Sequence, residues 1–82
     1  MSFYVYIIGS SHPKKRTYVG WTTDINKRLK AHNASKGAKF TRGSYWIILY
    51  KEKLKTKSEA MKREIQLKKN RKFRSYLREN IL

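Results

Sequence analysis

Eighty-two residues carry 21 Lys and Arg against 5 acids, a net charge of +16, with no cysteine. That length predicts one domain spanning residues 1–82, with a small core that buries about 60–65% of the unfolded surface. The missing cysteines exclude disulfides and Cys-ligated zinc or iron–sulfur chemistry. The charge is no tail effect, since residues 1–50 hold nine bases and one acid, and residues 51–82 twelve bases and four acids. Basic charge on every part of so short a chain exceeds what solubility asks for and points to a polyanion, with nucleic acid the first expectation. A membrane surface fits less well, because the aromatics fall in strand-like runs and not on one face of a basic helix. The first residues offer neither a basic leader nor a long apolar run, so a cytoplasmic location is the expectation.

Phe3 to Ile8 is aromatic and β-branched, and its alternation puts Tyr4, Tyr6 and Ile8 on one face and Phe3, Val5 and Ile7 on the other. With both faces apolar it reads as the central strand. Gly9 to Arg16 is a hydrophilic loop containing the sole proline, Pro13. A second strand over about Arg16–Trp21 closes an antiparallel hairpin and ends in a tight turn at Gly20. A helix over about Asp24–Asn33 follows, capped by Thr22 or Thr23, with Asp24 in its first turn. Ile25, Leu29 and His32 share one stripe of it, and Arg28 sits beside them, one turn from His32.

Ala34 to Ser44 mixes glycines, bases and hydroxyls and reads as a mobile basic loop. Tyr45–Lys51 is the third strand. Thr56-x-x-Glu59 has capping-box spacing, with Ser58 an alternative cap, for a helix over about Lys57–Lys69. Asn70 breaks it, and a last helix begins near Arg71. The order is β-β-α-β-α-α, an α+β fold with a small, mainly antiparallel three-stranded sheet flanked by helices.

Glu64 stands out among the five acids. On a helical wheel Ala60, Met61, Ile65 and Leu67 span roughly 160°, and Glu64 falls inside that arc. A carboxylate there is costly unless it is paired with a base or holds a metal. Both readings remain open at this level.

Tyr18-Val19-Gly20, with Arg28 ten residues after Tyr18 and then His32, resembles the second half of the GIY-YIG nuclease signature. Tyr4-Val5-Tyr6, followed by Ile7-Ile8, stands where the first half belongs, and Glu64 where a later helix supplies a Glu. The resemblance covers roughly residues 3 to 70 and is nearest to small stand-alone bacterial members. Two positions depart from the pattern: Tyr4 replaces the name-giving Gly, and Trp21 stands where some members place a Lys.

The resemblance implies a metal-dependent endonuclease acting on DNA, with structure-selective repair or recombination among its roles. It implies Mg²⁺ (or Mn²⁺) on Glu64, a hard cation that suits a single carboxylate because it keeps several waters. Arg28 then holds the scissile phosphate. Tyr6, Tyr18 and His32 surround the attacking water, with the general base left open among them. A phenol of ordinary pKa near 10 needs a neighbouring cation or His32 to serve at neutral pH. Trp21, Thr22, Asn33, Lys36, Thr41 and Arg42 are further expected nucleic-acid contacts, Trp21 by stacking on a base. The alternative is a non-catalytic basic module that binds DNA or structured RNA, with or without a protein partner.

Overall fold

The computed structural model describes residues 2–12 and 14–82. Pro13, placed by sequence in the first loop, lies outside the described residues. Strands β1 (Phe3–Ser10), β2 (Arg16–Thr22) and β3 (Ile47–Leu54) form one antiparallel sheet in the order β2-β1-β3. Helix α1 (Ile25–Asn33) follows β2, and helices α2 (Lys57–Lys69) and α3 (Arg71–Ile81) follow β3. The predicted element order and central strand are those observed.

Alternation along β1 divides the core in two. Val5 and Ile7, with Val19, meet Ala60, Leu67 and Leu77 of α2 and α3. Tyr6 and Ile8 point the other way and pack with Trp46, Tyr18 and Leu29 of α1. A register shift opposite Ile7 and Ile8 accommodates one extra residue of β3. Leu49 and Tyr50 therefore both pack on the α2–α3 side, while Ile48 packs on the α1 side.

Several local readings are corrected by tertiary structure. Helix α1 is capped by Asp24, whose carboxylate accepts from Lys27 N at 3.1 Å, and not by Thr22 or Thr23. Thr22 instead accepts from Asp24 N at 3.2 Å and turns the chain into the helix. Gly20 is not a turn residue. It lies within β2, directly opposite Tyr6.

The third strand runs Ile47–Leu54 where Tyr45–Lys51 was expected. Asn33 explains the late start, because its side chain accepts from Trp46 N at 2.6 Å and donates to Trp46 O at 3.1 Å. The late end has a different cause. β1 pairs as far as Phe3–Leu54, and Glu52 turns toward α2, where Arg63 grips it with bonds of 2.8–2.9 Å. Thr56 and Glu59 form the expected capping box, worth about 1 kcal/mol. Asn70 both ends α2 and caps α3, accepting from Phe73 N at 3.1 Å. No helix among the described residues is long and apolar enough to cross a membrane.

Candidate active site

The site grows from the α1 face of the sheet. Tyr18 pairs with Ile8, and Gly20 with Tyr6, so the two tyrosines are diagonal neighbours on one face. Gly20 makes room for the Tyr6 ring: a Cβ there would lie 2.5 Å from the phenol oxygen and 2.7 Å from Cζ. Helix α1 crosses this face and brings in His32, whose ring is fully buried and edge-on to both tyrosines, 5.9 Å from Tyr6 and 5.2 Å from Tyr18. Tyr6 Oη and His32 Nε2 are 2.9 Å apart, and His32 Nδ1 and Thr41 Oγ1 are 2.8 Å apart.

Burial pushes the Tyr6 phenol above its usual value of 10.0, and the Arg28 guanidinium beside it opposes that shift. The Glu64 carboxylate raises it further, the weakest of these influences. His32, bonded to the same hydroxyl, is held below 6.5, first by burial and then by the charge of Arg28. Burial thus moves the two pKa values apart, so the neutral imidazole can take the phenol's proton only as another proton reaches the phenol oxygen. Arg28 also lines an open cleft of about 230 Å³ with Thr22, Thr23, Asp24, Lys27 and Ala31.

Glu64 stands on α2, which packs on the other side of the sheet, and its charge is the weakest of those felt at Tyr6. The broad apolar stripe expected around it is narrower in the fold. Ala60 and Leu67 are buried, whereas Met61 and Ile65 are 46% and 53% exposed. The Glu64 side chain is 21% exposed, and the Nζ of Lys68, one turn along, lies 3.5 Å away. A pair this open is weak and leaves the carboxylate free to take another cation. Among the described residues no three His, Cys, Asp or Glu side chains gather in a metal-binding group. The donor set at Glu64 is thus one carboxylate, which fits a cation that keeps most of its waters.

The stretch expected to be a mobile loop is folded back onto the site. A short 3₁₀ turn over Lys39–Thr41 places Thr41, expected on the nucleic-acid surface, in full burial against His32. Gly37 packs so closely that a Cβ would collide with the imidazole. Arg16 lies over the rings of Phe40 and Trp46, 4.8 and 5.4 Å from their centroids, and donates to Ser44 Oγ. Asn33, another expected contact, is occupied with the backbone of Trp46. Trp21 lies on the opposite face, against Phe3 and beneath Lys57 Nζ. Lys36 and Arg42 stay exposed.

Sequence reasoning missed Gly37 and Phe40 as parts of the site and gave Thr41 only as a nucleic-acid contact, not as a partner of His32. Phe40 is 51% exposed and stacked on Tyr18 at 6.1 Å. These residues lie in a segment without helical or strand period, and no local pattern aims them at His32.

A model of the GIY-YIG catalytic domain matches residues 2–77. A UPF0213 protein of Staphylococcus haemolyticus is 42% identical over 66 residues, covering 79% of this chain and 78% of that protein. A UPF0213 protein of Haloquadratum walsbyi is 40% identical over 77 residues, covering 93% and 78%. The solution NMR structure of a UPF0213 protein from Bacillus halodurans superimposes with a TM-score of 0.55 at 35% identity, over 94% of this chain and 82% of that one.

Proposed function

The chain belongs to the GIY-YIG family, and from that premise we propose that it is a metal-dependent endonuclease that cuts DNA phosphodiester bonds, choosing its substrate by DNA structure in repair or recombination. The observation that carries this reading is the 2.9 Å Tyr6–His32 contact, buried under α1 with Arg28 beside it. Hydrolysis forms a bond from a water oxygen to phosphorus and breaks the bond to the leaving nucleoside oxygen. The water must lose a proton as it attacks, and the phenol–imidazole pair is built to take one. The leaving oxygen recovers a proton from solvent. Arg28 offsets the charge that builds on the phosphate, a contribution of about 10²–10³ in rate for one such donor. Glu64 would hold Mg²⁺ or Mn²⁺, and a bound cation supplies Lewis-acid polarisation of the phosphate.

Substrate contact follows from the rim. Lys36, Lys39 and Arg42 are exposed in the same segment as the half-exposed Phe40. Bases that track a backbone and an aromatic on which a nucleobase stacks suit single-stranded or branched DNA better than a base sequence. A second reading, a non-catalytic binder of DNA or structured RNA, draws on the same rim and on the +16 charge.

Cleavage of labelled single-stranded, duplex, flap and four-way-junction DNA separates the two. Nicking that needs Mg²⁺ or Mn²⁺, stops with chelator and is lost in Glu64→Gln while binding survives is the expected result. Tight binding with no cleavage of any of these, unchanged by chelator or Glu64→Gln, would leave the binding module standing.

A further inference from the structure

Thr41 has no place in the chemistry above, yet it is fully buried and its hydroxyl oxygen lies 2.8 Å from two different atoms. One is His32 Nδ1. The other is the carbonyl oxygen of Ala38, which can only accept. A threonine hydroxyl carries one proton. If that proton went to His32, two oxygens with lone pairs would face each other at 2.8 Å in a buried site. The hydroxyl therefore donates to Ala38 O, and its lone pair is left to accept from His32 Nδ1–H. A neutral imidazole holds one proton, so Nε2 is bare, and the Tyr6 hydroxyl 2.9 Å away must donate to it.

We propose that Thr41 is a positioning residue that fixes neutral His32 in its Nδ1–H tautomer, so that the resting imidazole accepts from the Tyr6 phenol. This rests on the nuclease reading for its catalytic consequence, though not for the tautomer itself. The proton order then has one direction. The Tyr6 proton passes to Nε2 as the attacking water gives its own to the phenol oxygen. Tyr6 ends neutral and His32 ends as an imidazolium, with Nδ1–H still held by Thr41. His32 returns its extra proton to solvent after the bond is cut.

The surroundings are built to keep Thr41 in place. Its backbone N–H also bonds Ala38 O at 3.0 Å, and its carbonyl accepts from Trp46 Nε1 at 2.8 Å. Trp46 is fully buried and is clipped in turn by Asn33. The close passage of Gly37 seals the Nδ1 side of the ring. The 37–41 segment is thus a cradle for one nitrogen of one histidine.

The experiment is ¹⁵N NMR of the full chain with labelled histidine, read at a pH where His32 is neutral, for wild type, Thr41→Val and Thr41→Ser. Wild type is expected to show a protonated Nδ1 and a bare Nε2. Thr41→Val keeps the shape and removes the acceptor, so the Nδ1–H form loses its dominance. Cleavage falls about ten- to a hundredfold, less than the 10²–10⁴ a general base contributes. Thr41→Ser restores both. A wild-type His32 protonated on Nε2, or a Thr41→Val protein whose tautomer is unchanged, overturns the proposal. Absence of cleavage by every protein would instead strike at the nuclease reading and leave the tautomer result standing. Should Thr41→Val fail to fold, the wild-type spectrum and Thr41→Ser still decide: a serine variant that loses the Nδ1–H form also overturns it.

Discussion

Replacing Gly20 by alanine tests whether the Tyr6 ring owes its place to the hydrogen that faces it. The new Cβ would sit 2.5 Å from Tyr6 Oη, 2.7 Å from Cζ and 3.2 Å from Cε2, where ordinary contact begins near 3.4 Å. The ring cannot swing out, because Tyr6 is only 2% exposed. It must tilt within the core, and its hydroxyl must retreat from the alanine while bonded to His32. Overpacking of this kind costs about 1–3 kcal/mol, and a lost buried hydrogen bond about 1 kcal/mol more. The sum, about 2–4 kcal/mol, is a large part of the roughly 4–12 kcal/mol expected for 82 residues. At about 4–8 °C per kcal/mol, the melting temperature falls by about 8–30 °C. The assay is thermal unfolding by far-UV circular dichroism on Gly20→Ala, Tyr6→Phe and the double variant. Tyr6→Phe removes the nearest colliding atom, so the alanine costs less in that background and the two effects are not additive. A Gly20→Ala protein that melts within about 4 °C of wild type, or strict additivity in the cycle, would refute the reasoning, whatever the outcome of any cleavage assay.

Two further expectations concern pH. Arg63 hydrogen bonds hold the Glu52 carboxyl below its ordinary 4.5, so the clamp between β3 and α2 contributes fully above that value and is lost as pH falls through the lower folded one. Urea midpoints measured down a pH series should therefore drop more steeply for wild type than for Glu52→Gln. Arg63→Met at neutral pH costs about 1–2 kcal/mol once the partial exposure of the pair is allowed for. The second expectation is for cleavage. His32 must be neutral to accept a proton, and its folded pKa lies below 6.5. The acid limb of the rate profile therefore falls below pH 6.5, and a limb centred at or above that value would remove His32 from the proton path.

Much of the architecture was legible because it rests on local rules. Alternation along Phe3–Ile8 announced a strand buried on both faces, and the fold puts β1 in the middle with a separate core on each side. Thr56 and Glu59 announced their capping box by spacing alone. The order of Tyr6, Tyr18, Arg28, His32 and Glu64 pointed to a single centre, and the fold brings Tyr6, Tyr18 and His32 together on one face with Arg28 beside them. Each of these follows from periodicity, capping chemistry or motif order, which a sequence carries in full.

What the sequence could not carry was which distant groups meet. Asp24 caps α1 because the chain turns at Thr22, so the first-turn acid became the cap. Met61 and Ile65 have apolar side chains, yet α2 buries Ala60 and Leu67 against the sheet and turns those two outward. Gly20 reads as a turn glycine until Tyr6 is seen lying across it. Thr41 reads as one more hydroxyl in a basic loop until the 3₁₀ turn buries it against His32, nine residues away. Hydrogen-bond direction, burial and close approach are properties of pairs of atoms, and only the tertiary structure decided which pairs form.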